Sequence, residues 1–182
     1  MNKSILLGAV ILTIVSCGTR KDAGTITPAD EQFMREAIRL SVESVAHGGG
    51  PFGAVIVKDG EIIASQANSV TIDNDPTAHA EVNAIREACR SLGTFDLAGC
   101  VIYTSSEPCP MCLGAIYWAG IDRIYYANTR KDAADAGFAD DHIYEEISRS
   151  LPARSIPHVQ ILRDEALAAF RAWSDNADRR EY

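Results

Sequence analysis

The stretch "SSEPCPMCLGAIYWAG", residues 105–120, decides how this chain is interpreted. Its cysteines, Cys109 and Cys112, are three residues apart, so on a helix they share one face. They would lie in the first turn of that helix, where the positive end of the helix dipole favours thiolates over thiols. A second stretch, "PTAHAEVNAIREA", residues 76–88, places His79 and Glu81 two residues apart at the start of another predicted helix. The question is whether the two segments build one site.

Together the segments offer the ligands of a zinc ion. Zinc in proteins takes cysteine sulfur and histidine nitrogen, and a catalytic site keeps three protein ligands and one position for water. The candidates are His79, Cys109 and Cys112. No fourth Cys or His lies close to these positions, because Cys89 is ten residues beyond His79 at the far part of its predicted helix and Cys100 starts a strand at its opposite end. The pattern therefore predicts a catalytic zinc site. A closed zinc site, a chance coincidence and a redox or disulfide pairing of the cysteines are the alternatives, although a redox pair has no need of His79 and Glu81.

Glu81 is the candidate for proton transfer. It follows His79 by two residues, so it points away from the metal ligand but can still reach a water in the site. A carboxylate there can take a proton from water, whose pKa zinc lowers toward neutrality, and return it to a leaving amine. Backbone N–H groups at the helix starts around Ala80 and Cys109 are expected to add polarisation.

The order of apolar runs and turn signals predicts an α/β fold. Asp59-Gly60 is the tight turn of a hairpin within residues 51–68, and Thr27 caps the first helix. The remaining elements, in chain order, are a helix from 75 to about 92, strand 100–105, helix 109–119, strand 123–128, helix 144–148, strand 158–163 and helix 164–177. This order predicts a three-layer α/β/α sandwich with a central five-stranded mixed sheet.

The N-terminus is predicted to be separate from the fold. Residues 1–16 carry one early lysine and an apolar run too short to span a bilayer, as in a secretory signal. The junction before Cys17 resembles the lipobox of bacterial lipoproteins, which implies lipidation at Cys17, with residues 17–27 as a tether and 28–182 as the folded domain. The predicted location is the periplasmic side of the cell envelope, with membrane contact only through the anchor. An uncleaved anchor, a buried strand, and a cytoplasmic location if the signal is unused remain alternatives.

The charge of the chain weighs against nucleic acid as a partner. It contains 25 acidic and 17 basic residues, for a formal net charge of −8. Binding of a phosphate backbone draws on Lys and Arg, so an acidic surface disfavours DNA or RNA. A small neutral ligand is compatible with this charge.

The pattern of His-x-Glu followed by Pro-Cys-x-x-Cys is typical of zinc deaminases that act on nucleobases. From Phe33 to Tyr182 the chain resembles the cytidine deaminase-like superfamily and, within it, the bacterial guanine deaminases. The stretches that carry the resemblance are "GGPFGAVIVKDG" (49–60), "NDPTAHAEVNAIR" (74–86), "SSEPCPMCLGAIYWA" (105–119), "DAADAGFADDHIY" (132–144) and the terminal "EY" (181–182).

The resemblance implies hydrolysis of guanine to xanthine and ammonia, with zinc on the three ligands above and Glu81 as the proton shuttle. It further implies that Asn68 donates to the purine ring, that Asp140 faces the ring edge near the exocyclic amine, and that Phe52 stacks on the purine. Members of this family form homodimers that exchange the C-terminal segment, and Tyr182 matches the tyrosine that closes the partner's pocket.

The chain departs from the family pattern in two features, and three other functions remain as alternatives. Ser106 stands where some relatives carry a cysteine, and an export signal is unusual for a purine-salvage enzyme. The alternative functions are a nucleoside deaminase acting on guanosine or cytidine, a tRNA adenosine deaminase, and a non-catalytic zinc-binding lipoprotein. Glu81 disfavours the last of these, because a protein that only binds zinc needs no proton shuttle.

Overall fold

The computed structural model describes residues 24–181. The predictions for the signal segment 1–16, for Cys17 and for Tyr182 therefore fall outside the described residues. In chain order the elements are α1 (Pro28–Ala46), β1 (Gly53–Lys58), β2 (Glu61–Ala67), α2 (Val70–Asp73), α3 (Ala80–Leu92), β3 (Cys100–Ser106), α4 (Pro110–Trp118), β4 (Arg123–Asn128), α5 (Arg130–Asp135), α6 (Asp141–Ser148), a 3₁₀ turn (Leu151–Ala153) and α7 (Arg163–Asp175).

The sheet is mixed, with strand order β2-β1-β3-β4. Strand β1 is antiparallel to both β2 and β3, whereas β3 and β4 are parallel. The hairpin turn falls where the sequence predicts it, and both Asp59 and Gly60 have positive φ, at 51° and 82°. Positive φ at both central residues matches the right-handed twist of the two strands.

The predicted fifth strand, residues 158–163, does not form, so the sheet has four strands among the described residues. Val159 and Ile161 are 81% and 74% exposed, and no described strand pairs with this segment. Leu162 has a φ of 51°, which breaks the extended run immediately before α7. The β-branched residues of segment 158–163 favour a strand. A strand is stable, however, only when it pairs with a neighbouring strand.

The core lies on both faces of the sheet. One cluster joins Cys100 and Ile102 of β3 to small residues of α3 and to Ile116 of α4. The other joins Tyr103 of β3 to Val55 of β1 and Ala37 of α1. Because successive strand side chains point to opposite faces, even-numbered residues of β3 face α3 and α4, and odd-numbered ones face α1.

This topology brings two helix starts to one edge of the sheet. In β1, Gly53 lies opposite Ala67, the last residue of β2, and Ala54 lies opposite Thr104 near the end of β3. Strands β2 and β3 therefore end on the same edge. The chain continues from β2 toward α3 and from β3 into α4, so both helices begin there. In the part of the chain that the structure describes, no helix is long and apolar enough to cross a membrane.

Candidate active site

His79, Cys109 and Cys112 meet at this edge. The Nδ1 atom of His79 lies 3.6 Å from Sγ of Cys109 and 3.5 Å from Sγ of Cys112. All three ligand atoms lie within 4.8 Å of one another. Zinc–sulfur bonds of about 2.3 Å and zinc–nitrogen bonds of about 2.0–2.1 Å, at tetrahedral angles, separate sulfur from nitrogen by about 3.6 Å. The spacing of this group therefore fits zinc.

Both ligand segments place a ligand at the residue that precedes a helix. His79 is the N-cap residue of α3, one position before the first turn in which the sequence predicts it, and Cys109 is the N-cap residue of α4. Pro110 occupies the first helical position of α4, where its missing N–H costs nothing. Cys112 follows in the first turn and is fully buried. All four cysteines among residues 24–181 are free thiols, so no disulfide competes for these sulfurs.

The ionisation of the group favours a thiolate at Cys109. Hydrogen bonds from the Cys112 thiol and from His79 lower the pKa of Cys109 to about 4. The pKa of His79 is raised, chiefly by its hydrogen bond to Cys109. The pKa of Cys112 is raised because its thiol hydrogen-bonds the Cys109 sulfur and is buried. A cation on the two sulfurs would favour the thiolate of both, since metals bind the deprotonated form.

A cavity of about 820 Å³ opens above the group. Residues from several elements line it. They include the candidate ligands His79 and Cys109, the carboxylates Glu81, Glu107 and Asp140, the amide of Asn68, and the rings of Phe52 and Phe138. A purine base is well within the size range of ligands that such clefts hold.

Glu81 lies in the first turn of α3 and is only 7% exposed. Burial raises the pKa of this carboxyl above the usual 4.5, because the charged form loses its hydration. A raised pKa brings the group closer to the operating pH, which suits a residue that must both accept and return a proton.

Asn68 is held in one orientation. Its Oδ1 atom accepts hydrogen bonds from the backbone N–H of Gly50 and of Val70, both at 3.2 Å. Gly50 approaches so closely that a Cβ there would lie 2.9 Å from Asn68 Oδ1. Because both bonds use the oxygen, the Nδ2 group is the end of the amide that can donate to a ligand.

An aromatic pair forms part of the cavity wall. The ring of Phe52 meets the ring of Phe138 edge-on, with centroids 5.0 Å apart and an interplanar angle of 87°. Such T-shaped pairs are favourable because the positive ring edge faces the negative ring face. Phe138 belongs to the "AGFADD" stretch, but the sequence gives no local signal that its ring would reach the site.

Asp140 lies at the N-cap position of α6, lines the cavity and is half-buried. Its side chain makes no capping hydrogen bond, so the carboxylate is not used to stabilise the helix. Burial raises the pKa of Asp140, while the nearby Arg130 guanidinium lowers it. The neighbouring Asp141 pairs instead with Arg130.

Arg130 and Tyr144 connect α6 to the cysteine segment. The guanidinium of Arg130 lies 4.3 Å above the ring of Tyr144, and the Tyr144 hydroxyl donates to the carbonyl of Pro108 at 3.3 Å. The backbone N–H of Arg130 donates to Glu107 at 3.1 Å. These contacts hold the start of α6, with Asp140, against the segment that precedes Cys109. The sequence does not predict the roles of Arg130 and Tyr144, because those roles depend on long-range contacts.

The predictions for Ala80 and Tyr182 stay predictions. The Ala80 side chain is fully buried in the core, so any contact with a ligand would come from its backbone N–H in the first turn of α3. Tyr182 is outside the described residues, and the segment before it is exposed.

A family model for the zinc-binding region of cytidine and deoxycytidylate deaminases matches residues 27–128, more than half of the chain. This range contains His79, Glu81, Cys109 and Cys112. The chain therefore belongs to this family of zinc-dependent deaminases, which are hydrolases.

Within that class, the predicted resemblance to bacterial guanine deaminases is confirmed. The chain is 55% identical to the guanine deaminase of Bacillus subtilis over 153 residues, which cover 84% of this chain and 98% of that protein. The crystal structure of the B. subtilis protein superposes with a TM-score of 0.81 over the same shares of the two chains. A guanine deaminase structure from Nitrosomonas europaea is 29% identical, with a TM-score of 0.59, and the match covers 94% of this chain and 97% of that one.

The tRNA-modifying relatives match a smaller part of the chain. A tRNA-specific adenosine deaminase of Aquifex aeolicus is 45% identical over 97 residues, which cover 53% of this chain and 64% of that protein. The comparisons thus do not favour that alternative.

The predicted lipid-anchored location in the cell envelope is wrong by the same comparison. The match to the B. subtilis guanine deaminase takes in 98% of that protein but 84% of this chain, and nothing in it supports a lipid anchor. The prediction rested on one early lysine, a short apolar run and the residues before Cys17, which are local sequence features outside the described residues.

Proposed function

We propose that this protein is a zinc-dependent aminohydrolase that converts guanine and water to xanthine and ammonia. One observation carries the proposal: a His79, Cys109 and Cys112 group with zinc spacing lies beside the buried carboxyl of Glu81, in a cavity large enough for a purine. The choice of guanine draws its support from the relatives of similar length, which are named guanine deaminases.

His79 would hold the ion through Nδ1, and Cys109 and Cys112 through their sulfurs. The ion would supply a Lewis acid that lowers the pKa of a water molecule toward neutrality. With three protein ligands, the set leaves one coordination position for solvent or substrate, as catalytic zinc sites do.

Glu81 moves the protons. Its carboxylate takes a proton from the attacking water and delivers it to a ring nitrogen of the base. The carboxylate then takes the remaining proton of that water, which is now a hydroxyl on the ring carbon, and passes it to the amino group as the carbon–nitrogen bond breaks and ammonia leaves. Burial favours this cycle, because it disfavours the charged carboxylate more than the neutral carboxyl and so raises the pKa of Glu81.

The remaining cavity residues bind and orient the base. Asn68 donates from Nδ2, Asp140 accepts from the edge that carries the exocyclic amine, and Phe52 packs on the ring face. The backbone N–H of Ala80 adds a donor at the start of α3. Phe138, which contacts Phe52, extends the apolar wall.

A second copy of the chain is the proposed partner. Large apolar side chains are exposed in the C-terminal part and on α4, with Phe170 at 71% and Tyr117 at 78%. Exposed apolar surface is characteristic of protein–protein interfaces and supports this proposal. An exchange of the C-terminal segment would cover it and bring Tyr182 to the partner's cavity.

The deciding experiment measures ammonia release by the purified, zinc-loaded protein with guanine, guanosine, cytosine, cytidine and adenine, and with an adenosine-containing tRNA anticodon stem. Release from guanine alone is expected. Faster release from a nucleoside or from the RNA would replace the proposed substrate, and no release from any of them would identify a zinc-binding protein without turnover.

A further inference from the structure

The hydroxyl of Ser106 is buried without a partner in the protein. Among the side chains of residues 24–181, its Oγ is the one buried oxygen or nitrogen that has no hydrogen-bonding partner in the protein. Ser106 itself is 5% exposed. A buried hydroxyl that lacks a partner destabilises the fold, and native structures contain few such groups. An unpaired hydroxyl at this position therefore calls for a partner from outside the chain.

The position of Ser106 indicates where that partner would lie. It is the last residue of β3, three residues before Cys109, and it lines the cavity beside Glu81. As an even-numbered residue it shares the face of Cys100 and Ile102, toward α3 and α4. The backbone carbonyl of Ser106 accepts from the Thr104 hydroxyl, which anchors the strand end. The Ser106 side chain thus stands on the site's side of the sheet.

The neighbouring serine, Ser105, differs from Ser106 in its hydrogen bonding. Ser105 is equally buried, at 2% exposed, but it points to the opposite face. Its Oγ accepts a hydrogen bond from the backbone N–H of Gly53 at 3.0 Å. One of two adjacent buried hydroxyls is thus a structural acceptor, and the other is not used by the fold.

We propose that the Ser106 hydroxyl is a substrate-contacting residue, which donates a hydrogen bond to an acceptor atom of the bound purine. The cavity wall is rich in acceptors, because Glu81, Glu107 and Asp140 can only accept when ionised. These carboxylates suit the N–H groups of a purine, whereas its carbonyl oxygen and unprotonated ring nitrogens need donors. Asn68 Nδ2 and the backbone N–H of Ala80 are two donors, and Ser106 adds a third at the buried end of β3. The inference rests on the proposed deamination of a purine base.

The test compares Ser106→Ala with Ser105→Ala in the full-length, zinc-loaded protein. Without ligand, Ser106→Ala is expected to raise Tm by roughly 2–4 °C, because it removes an unsatisfied buried polar group. Ser105→Ala is expected to lower Tm by at least roughly 2–4 °C, because it leaves the Gly53 N–H unpaired. Opposite signs for two identical substitutions at adjacent positions separate the two roles.

Ligand binding gives the second measurement. Saturating xanthine, the reaction product, is expected to raise Tm of the wild type and of Ser105→Ala equally, and that of Ser106→Ala by half as much or less. For guanine, Ser106→Ala is expected to raise KM by roughly 3- to 10-fold, as for the loss of one neutral hydrogen bond, with kcat within about twofold. Zinc content stays at one ion per chain in all three proteins.

Three results would overturn the inference. A lower Tm of unliganded Ser106→Ala than of the wild type would show that the hydroxyl has a partner within the fold. A loss of zinc would show that it acts on the metal ligands. An unchanged KM and xanthine shift, in a wild type that turns over guanine, would show that it does not touch the base. Failure of the wild type to release ammonia from guanine would instead reject the proposed function, independently of either serine.

Discussion

Residues 27–128, the sheet region, and residues 129–181, the C-terminal region, stabilise themselves in different ways. Every buried residue in the described chain lies in the sheet region, between Ala37 and Ala119. The three helices of the C-terminal region contain none. The sheet region holds its own core, whereas the C-terminal region lies on the surface of the chain and is ordered by few contacts.

The site draws on both regions unequally. The metal ligands and Glu81 come from the sheet region, and Phe138 and Asp140 come from the C-terminal region. Contacts such as Tyr144 to Pro108 connect the two. In the proposed mechanism, metal binding and proton transfer therefore belong to the well-packed sheet region. Contacts that complete the cavity around the base come from the more exposed C-terminal region. Changes in each region should therefore affect different steps.

The largest effect is expected from Cys112→Ala. This substitution removes a fully buried ligand, so zinc content by atomic absorption should fall below about a tenth of an ion per chain, with activity at background. Cys89→Ala, which removes a half-buried thiol from the same region, is the control and should keep its zinc. Stoichiometric zinc in Cys112→Ala would exclude the proposed ligand set.

Glu81→Gln should separate chemistry from metal binding within the sheet region. The amide cannot carry the proton, so kcat should fall by about 10²- to 10⁴-fold while zinc content stays the same. Glu87→Gln, on the same helix, is the control. The Glu87 carboxylate accepts a hydrogen bond from Gln66, outside the cavity, so the kcat of this variant should stay within about twofold of the wild type. A near-normal kcat in Glu81→Gln would refute the proton shuttle.

Removal of residues 158–182 tests the C-terminal region as a whole. Because no described residue of this segment is itself buried, the sheet region should keep its zinc and its fold. The expected changes are a shift from dimer to monomer by analytical ultracentrifugation and a KM for guanine at least about tenfold higher. A truncated protein that sediments as a dimer and binds guanine normally would contradict the exchange of the segment.

A single contact between the regions is tested by Tyr144→Phe. The ring under Arg130 stays, but the hydrogen bond to the Pro108 carbonyl is lost. Loss of one partly exposed neutral hydrogen bond should lower kcat/KM by roughly two- to fivefold, without loss of zinc. Tyr126→Phe, at an exposed position of β4, is the control, and equal effects of the two variants would show that the contact does not position the site.

The smallest effect concerns stability of the sheet region in acid. Asp30 accepts from the Tyr103 hydroxyl at 2.6 Å and from Thr27, and these bonds lower its pKa below 3.8. A carboxyl with a lowered folded-state pKa contributes stability above pH 3.8, and this contribution is lost as the pH falls through the folded-state pKa.

Asp30→Asn should therefore lower Tm by roughly 2–6 °C at pH 7, and the difference from the wild type should shrink at pH 3. Glu31→Gln, at the neighbouring exposed position, is the control. A difference of the same size at both pH values would mean that the charge of Asp30 is not the cause.

The two regions also differ in how well their sequences predict them. The capping box at Thr27, the Asp59-Gly60 turn and strand β4 lie where local signals place them, because each signal is a short-range preference that the core reinforces. The segment 158–163 has the composition of a strand but no partner, so local preference alone gave the wrong element. Helix α5 was missed although Thr129 and Asp132 form a capping box that the sequence contains.

The same limit applies to the site. Local spacing predicted His79, Glu81, Cys109 and Cys112, since residues in one helix turn have fixed relations to one another. Phe138 and Arg130 line the cavity, and Tyr144 contacts the segment before Cys109. These contacts join residues far apart in the chain, for which spacing carries no information. The proposed role of Ser106 depends on the lack of a hydrogen-bonding partner for its hydroxyl within the fold, which local sequence does not reveal.

The starts of α3 and α4 have a thermodynamic consequence. Helices α1 and α5 begin at threonines in capping boxes, but α3 and α4 begin at His79 and Cys109, whose side chains cap nothing. Each gives up about 1 kcal/mol of local helix stability that a capping side chain would provide. Occupation of the site and protection of these two first turns from amide hydrogen exchange should consequently rise and fall together, so that exchange rates at residues 80–83 and 111–113 report ligation directly.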